Sequence, residues 1–529
     1  MKEFNTTAVC VPEKHYMVDL TDRVNEIRKM VDAGKYFVIN RARQYGKTTT
    51  LYALKNAIKE DYDVVSLDFQ ELGNASFETE ETFCRGFIRL ILEEHDFDQL
   101  RLPPATESLF KEFVDEKNTD NKIVDLLRAF RSWCKDAEKP LVLLIDEVDT
   151  ATNNQVFLDF LAGLRSGYIN RDTKGIKTFQ SVILAGVTDI RYLKYKIRDE
   201  AQSKQNSPWN IAADFSVDMS LSETGIKNML DEYEADHHAG MDTSVMAGLL
   251  RDYTNGYPFL VSRLCQLTDT QVVKSKGLKD AWSKNGFLEA VKLLLVENNT
   301  LFRSLTKNLN NNPKLTGMIR SLLMEGTRIT YNGQQDELIQ LKMYGVIDED
   351  HGTVRIDNRI FETVLYNLFL SDEELKNSAI YKEGELARNQ FVKDGHLDMR
   401  LILDRFIKSY TQIFGPLTDK FKEKDGRELF LLYLKPIING TGNYYIEAQT
   451  RDQTRTDVIV DYLGQHYIIE LKIWRGERYN ADGEKQISEY LEYFNLDIGY
   501  MLSFNFNKNK ETGCKRVECG GKVVFEYTL

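Results

Sequence analysis

Several familiar sources of chemistry are thin or missing in this chain. Six cysteines are spread over 529 residues, at Cys10, Cys84, Cys134, Cys265, Cys514 and Cys519. None stands in the C-x-x-C spacing that zinc or redox sites favour, so reduced, mostly buried thiols are expected. The seven histidines, the adjacent His237 and His238 included, show no ligand spacing. No apolar run approaches the roughly 18 residues of a membrane helix, and the start, Met1-Lys-Glu-Phe-Asn-Thr6, has no apolar core of a secretion signal. These gaps predict no membrane partner and a cytoplasmic location. Internal repeats are missing, and low complexity is confined to Asn310 to Asn312. Neither an H-R-D nor a D-F-G run occurs, which leaves protein-kinase chemistry unsupported, and the absence of a second motor domain argues against a helicase.

Positive charge is also in deficit, with a net charge of -12. Residues 396–529 carry 19 Lys/Arg against 20 Asp/Glu, leaving 50 against 61 upstream, so the acidity belongs to the earlier part. Such a chain is a poor nonspecific polyanion binder, and any nucleic-acid contact must rest on a local basic groove. With 42% hydrophobic and 28% charged residues, it reads as a soluble globular protein of about three domains.

What is present starts at Tyr36-Phe-Val-Ile-Asn40, an apolar strand running into Arg41-Ala-Arg-Gln-Tyr-Gly-Lys-Thr48 and then a helical stretch. A strand, loop and helix ending in Gly-Lys-Thr can curl backbone N–H groups around phosphates, reach their oxygens with Lys47, and ligate Mg2+ through Thr48. The standard motif needs a glycine five residues before Gly46, where this chain has Arg41. A second element supports the reading. Leu141-Val-Leu-Leu-Ile-Asp-Glu147 has the pattern of a buried parallel strand delivering carboxylates to a ligand edge, Asp146 for the Mg2+ shell and Glu147 for the attacking water. Ser181-Val-Ile-Leu-Ala-Gly-Val-Thr188 adds another strand, and Val64-Val-Ser-Leu-Asp-Phe69 one more. Strands alternating with helices, among them one over Val18 to Ala33 and a pair within Glu107 to Lys135 broken at Asn118 to Asn121, predict a parallel α/β sheet.

The loop resembles the Arg-rich, glycine-poor P-loop of the AAA-like ATPases, whose usual text is close to R-P-R-[RQ]-[FY]-G-K-[ST], with Ala42 in place of proline. The resemblance covers roughly residues 1 to 370 and includes Pro12-Glu-Lys-His-Tyr16, Ser207-Pro-Trp-Asn-Ile-Ala212 and Asn255-Gly-Tyr-Pro-Phe-Leu-Val-Ser-Arg263. It implies ATP and Mg2+ as cofactors, with Arg43, Gln44, Tyr45, Gly46, Lys47, Thr48, Thr49 and Asp146 around the nucleotide. It also implies Thr188 as the sensor of the γ-phosphate and Arg263 as a second sensor on a helical lid. A structural threonine and a surface ion pair are the competing readings of those two. No arginine finger is singled out among Arg191, Arg198 and Arg251.

Beyond residue 216 helical periodicity dominates to about 325, as in a lid. Within Leu315 to Leu370, a helix, Glu337 to Ile347, a turn over Asp348-Glu-Asp-His-Gly352 and a strand Thr353-Val-Arg-Ile356 predict a winged helix. The three acids at its tip favour packing over DNA docking. Ser371 to Asn389 reads as a charged helical connector.

A second constellation lies near the C-terminus. Asp457-Val-Ile-Val-Asp-Tyr-Leu-Gly-Gln-His-Tyr-Ile-Ile-Glu470-Leu-Lys472 predicts two strands joined at Gly464, with Asp457 entering the first and Glu470 and Lys472 projecting to the same face of the second. Two carboxylates and the Leu471 carbonyl can hold Mg2+ or Mn2+, and a neighbouring lysine can position water. The pattern D-x(n)-E-x-K resembles the PD-(D/E)XK nucleases over roughly residues 420 to 529, with Thr456 where the name has proline. The resemblance adds Glu428 as a supporting acid, Gln486 on the following helix, and Arg455 as a phosphate contact. An exposed hairpin with ordinary cross-strand charge pairing is the alternative.

The expected layout is a P-loop AAA-like ATPase core over 1–215, a helical lid and winged-helix region over 216–370, a connector over 371–395, and a PD-(D/E)XK nuclease-like α/β domain over 396–529. Two functions fit it: an ATP-regulated, Mg2+-dependent nuclease acting on nucleic acid, DNA ahead of RNA, or a nucleotide-driven switch or scaffold whose last domain only binds or oligomerises. Homo-oligomers are compatible with both.

Overall fold

The computed structural model describes residues 2–97, 100–115, 120–152, 154–187, 209–325, 327, 329–371, 378–393, 395–415, 423–438, 442–448, 456–462, 465–473, 487–488, 491–492, 496–505 and 512–529. They form two compact units. One comprises Met1–His238, Gly256–Arg263 and Lys342–Gly345, the other Ala239–Asn255, Leu264–Leu341 and Val346–Leu529.

In the first unit the chain runs α1 (Thr21–Asp32), β1 (Tyr36–Asn40), α2 (Lys47–Ile58), β2 (Asp63–Asp68), α3 (Glu80–Asp96), α4 (Pro104–Val114), α5 (Ile123–Asp136), β3 (Leu141–Asp146), α6 (Gln155–Lys174), β4 (Ser181–Gly186) and α7 (Glu223–His237). The four strands pair in parallel in the order β1-β4-β3-β2. Alternate side chains of each strand enter opposite cores. Tyr36, Val38, Leu143 and Ile145 pack on one face, while Phe37, Ile39, Val142 and Leu144 pack on the other. Burial on both faces is why these strands are continuous apolar runs rather than alternating ones. Because β4 lies between β1 and β3, the ends of all three strands share one edge, and Asn40 stands opposite Gly186.

The helices follow their apolar spacing. Ile123, Leu126, Phe130 and Trp133 form the buried stripe of α5. Helix α1 starts at Thr21 rather than at Val18, because the Asp19 carboxylate accepts both the N–H and the hydroxyl of Thr21, at 2.9 and 2.6 Å, and holds the preceding residues out of the helix.

The second unit contains α8 (Thr243–Thr254), the last residues of α9 (Pro258–Leu267), short helices α10 (Val273–Lys276) and α11 (Leu278–Ala281), then α12 (Lys284–Val296), α13 (Thr300–Asn310), α14 (Pro313–Glu325) and most of α15 (Asp336–Met343). A hairpin follows, β5 (Ile347–Asp350) and β6 (Thr353–Ile356), and then α16 (Arg359–Phe369). Asp348, Glu349 and Asp350, expected in a turn, belong to β5. Pairing decides this: Asp348 stands opposite Arg355, and their side chains meet at 3.2 Å.

After α17 (Ala379–Ala387), the two-residue strands β7 (Val392–Lys393) and β8 (His396–Leu397), α18 (Met399–Phe414) and α19 (Glu423–Ile438), a mixed sheet closes the chain. Its strands are β9 (Gly442–Ala448), β10 (Thr456–Tyr462), β11 (Gln465–Ile473), β12 (Ile498–Phe504), β13 (Gly513–Cys519) and β14 (Lys522–Thr528), ordered β13-β14-β12-β11-β10-β9. Polar contacts tie the helices of this unit to one another and to the sheet. Arg427 Nη1 of α19 donates to the Leu323 carbonyl at 3.2 Å and to the Tyr366 hydroxyl at 3.0 Å. Lys292 Nζ of α12 meets Asp461 Oδ1 at 2.7 Å, and His466 Nε2 lies 3.4 Å from Asp461 Oδ2. Burial pushes the Asp461 carboxyl up, but His466 and Lys292 together hold it below the usual carboxylate value.

Among the described residues, no helix is long and apolar enough to cross a membrane. Cys84 and Cys265 are buried; Cys514, against the expectation of mostly buried thiols, is exposed on the outermost strand.

Candidate functional site

The loop between β1 and α2 places a phosphate cradle at the sheet edge. Gln44 and Gly46 take left-handed conformations, φ 56° and 77°, which fold the chain back so that α2 begins at Lys47. Lys47 is 6% exposed, and its Nζ donates to the carbonyls of Arg41 and Ala42 at 3.1 and 3.0 Å. Burial pulls its ammonium below the usual lysine value, against the pull of Glu147, Asp146 and Asp149. Tyr257 fixes the loop from outside, its hydroxyl donating to the Arg43 carbonyl at 2.5 Å.

Asp146 ends β3 beside this loop. Its Oδ2 accepts from Thr48 Oγ1 at 2.6 Å, and its Oδ1 accepts the Glu147 N–H at 2.8 Å. A hydroxyl and a carboxylate converging at this distance are a hard-oxygen pair suited to Mg2+. Glu147 sits at φ 51°, a left-handed turn that lifts it off the strand end. Burial raises both carboxyls above their usual values.

A cavity of about 440 Å³ opens against the loop. Its lining includes residues 44–49 and Glu147, Arg23, the N-terminal residues Asn5 to Ala8, and apolar Met17, Leu20, Met229 and Phe259. An Asx turn shapes the N-terminal part: Asn5 Oδ1 accepts the Thr7 N–H at 3.0 Å, and Asn5 Nδ2 donates to the Val9 carbonyl at 3.1 Å. The Cys10 N–H donates to Thr49 Oγ1 at 3.2 Å and fastens the arm to α2. Cationic, polar and apolar groups in one lining can serve a ligand that combines phosphates with an aromatic base.

Arg43 and Thr48 are exposed, and Gln44, Tyr45 and Thr49 are half-buried. Arg263 is half-buried on α9, next in sequence to Ser262 in the cavity wall. Thr188, Arg191 and Arg198 lie outside the described residues.

In the C-terminal sheet Asp457 pairs with Glu470 across β10 and β11. Glu470 and Lys472 are 4% and 6% exposed, and Leu471 between them is buried. The register extends this face: Glu470 pairs with Met501, Met501 with Glu526, and Lys472 with Ser503. Alternation therefore puts Glu470, Lys472, Ser503 and Glu526 on one side of the sheet. Ser503 Oγ donates to Glu526 Oε1 at 3.1 Å, both groups being buried. Glu470 is a buried hard-oxygen group of the kind Mg2+ or Mn2+ takes, and among the described residues no group of three metal-binding side chains gathers around it. Glu428 is half-buried on α19, 3.8 Å from Arg320 Nη2. The Asp457 side chain, Arg455, Gly464 and Gln486 lie outside what is described.

Sequence reasoning missed the N-terminal arm, whose short turn-bonded run has no periodicity. It also missed the pair Ser503 and Glu526, although a lone acid in Val523-Val-Phe-Glu-Tyr527 was a visible signal. Asp149 was overlooked too; its Oδ2 accepts the Val187 N–H at 2.5 Å and clips the turn after β3 to the end of β4.

Comparison with known proteins gives two family matches, an AAA-like domain over residues 11–371 and the PD-(D/E)XK nuclease superfamily over residues 443–517. Among curated proteins there is no match. Similar solved structures include a Walker-type ATPase of Pyrococcus abyssi, 13% identical, covering 68% of this chain and 99% of that one with a TM-score of 0.45. They also include the ORC2 protein of Aeropyrum pernix in ADPNP-ADP complexes, 13% identical over 70% of this chain and 97% of that one, TM-score 0.35. A third is Cdc6p from Pyrobaculum aerophilum, 12% identical over 70% and 97%, TM-score 0.33.

Proposed function

The chain belongs to the AAA-like domain family, and from that premise we propose that it binds and hydrolyses ATP, and that its PD-(D/E)XK nuclease-superfamily domain cleaves nucleic acid under control of the nucleotide state. The observation that carries the first half is the Thr48 hydroxyl bonded to the Asp146 carboxylate beside a cavity lined by buried Lys47 and by Thr48 itself. Lys47 exchanges the carbonyls of Arg41 and Ala42 for phosphate oxygens. Thr48 and Asp146 would hold Mg2+, which neutralises phosphate charge when bound. Glu147 accepts a proton from the attacking water, its raised proton affinity suiting a general base. The base of the nucleotide enters the apolar part between Met17, Leu20, Met229 and Phe259. Thr188 and Arg263 act as sensors.

In the nuclease domain Asp457, Glu470 and the Leu471 carbonyl would hold Mg2+ or Mn2+, which polarises the scissile phosphate when bound. Lys472 orients the hydrolytic water, with Glu428 and Gln486 in support. DNA is the proposed substrate ahead of RNA, the cytoplasm the proposed location, and the β5–β6 region is proposed to be a winged helix that packs rather than reads DNA.

The test incubates the full chain with linear DNA, circular DNA and RNA, in Mg2+ or Mn2+, with and without ATP, beside Glu470→Ala and Lys47→Ala. Cleavage lost in Glu470→Ala and altered by ATP only when Lys47 is intact supports the reading. Retention of ATP binding by Lys47→Ala would sink the P-loop assignment. No cleavage by a protein that still binds ATP would replace the nuclease with a nucleotide-driven switch, the reading its acidic charge balance favours.

A further inference from the structure

Arg41 occupies the position where the standard phosphate loop has a glycine, and both its backbone and its guanidinium are engaged. Its N–H donates to the Gly186 carbonyl at the end of β4, at 3.2 Å. Its carbonyl accepts from Lys47 Nζ at 3.1 Å. Its guanidinium leaves the loop altogether: Nη1 donates to the Asn40 carbonyl at 3.0 Å, Nη2 donates to the Val217 carbonyl at 2.9 Å, and the group lies 5.1 Å from the centroid of the Phe215 ring. A planar fork stacked on an aromatic ring is a contact that lysine cannot reproduce.

The segment it grips has its own path to the cavity. Ala213 N–H donates to the Tyr36 carbonyl at 2.8 Å, which lays the segment along β1. Arg23 Nη2 holds the Ser220 carbonyl at 3.0 Å, Leu221 lines the cavity, and α7, beginning at Glu223, contributes Met229 to the same wall.

We propose that Arg41 is a positioning residue that couples phosphate occupancy of the loop to residues 215–221 and so to the wall of the cavity. The coupling rests on the ATP-binding reading given above. Two of the three Lys47 N–H donors are on these carbonyls; as they turn to phosphate oxygens, the Arg41 peptide loses a donor while its guanidinium still holds Val217. A loop with glycine in this place has no such arm, so the departure from the standard motif is a gain of connection.

Hydrogen exchange of the full chain with and without ATP and Mg2+, combined with ATP and ADP affinities and steady-state hydrolysis, tests the idea on Arg41→Lys and Arg41→Gly. The expected Arg41→Lys protein is folded, binds ATP within about threefold of the parent, protects amides 44–50 on binding, and fails to protect 215–221. Its kcat falls about tenfold or more with little change in KM. Arg41→Gly is expected to match it, and if that variant does not fold, Arg41→Lys alone carries the test. Retained protection of 215–221 with parent-like kcat overturns the proposal. So does a loss of ATP affinity far exceeding that for ADP, which would make Arg41 a direct phosphate contact. Failure of the underlying reading looks different: the parent protein itself would show no ATP-dependent protection at residues 44–50.

Discussion

Lys47, Asp146 and Glu147 all have their proton affinities moved chiefly by burial, the lysine downward and the two acids upward. For Glu147 this places ionisation above the ordinary glutamate range, so hydrolysis should decline on the acid side from a correspondingly higher pH. Glu147→Gln should keep ATP affinity within a few-fold and lower turnover by about 10² or more; unchanged turnover in a phosphate-release assay would remove Glu147 from the water-positioning role. Asp357 offers a stability counterpart. Burial, reinforced by Asp348 and opposed by Asn358, Arg355 and Asn255, pushes its carboxyl up to about 7 from an ordinary value of 3.8. A raised folded-state value means the native chain binds the proton more tightly than the unfolded one. This contribution is therefore complete below about pH 4 and is lost as pH rises through 7. Asp357→Asn should flatten that slope, changing the difference between urea stabilities at pH 5 and 7.5 by on the order of 1–2 kcal/mol.

Helix α19 meets the last sheet through a glycine. A Cβ on Gly426 would lie 2.3 Å from the Phe504 ring of β12, so the helix can lie this close only without a side chain there. Gly426→Ala should cost about 1–3 kcal/mol in a urea titration by forcing ring and helix apart, and a neutral result would mean the two elements separate freely. Arg427 and Glu428 follow directly, so the same contact sets where those side chains start. Glu428 was legible through the family resemblance, whereas Phe504 as the reason for the nearby glycine was not, since the pair is joined only by the fold. The same contrast runs through the ATPase unit. Strands β1, β3 and β4 were legible because burial on both faces writes itself as unbroken apolar text. The tie from Arg41 to Val217 was illegible because it depends on which segment runs beside β1. Strand β5 was hidden for a third reason: three successive acids argue for a turn until Thr353 to Ile356 pairs with them.

At the scale of the whole molecule, the two units should respond separately to ligand. Anything that binds only the native P-loop unit stabilises it by mass action, about 2.7 kcal/mol at a hundredfold excess over Kd, or roughly 5–10 °C for a unit of this size. ATP with Mg2+ should raise one thermal transition by that amount and leave Lys47→Ala unmoved. An equal rise in the variant would place the stabilising site elsewhere. The acidic balance upstream of residue 396 adds that nucleic-acid affinity should depend on a local surface of the near-neutral last domain rather than on the chain's overall field.

The P-loop unit is not a contiguous stretch of chain. It is completed by Gly256–Arg263, which brings the Tyr257 hydroxyl to the Arg43 carbonyl, and by Lys342–Gly345, where a Cβ on Gly345 would press on Ala42 at 2.7 Å. On a ribosome these pieces arrive late. At about 5–20 residues per second, the stretch between His238 and Gly345 delays completion by roughly 5–20 s. For that interval a nascent chain carries a P-loop whose outer braces have not yet been made, and the unit is finished only after much of the following helical region has been translated.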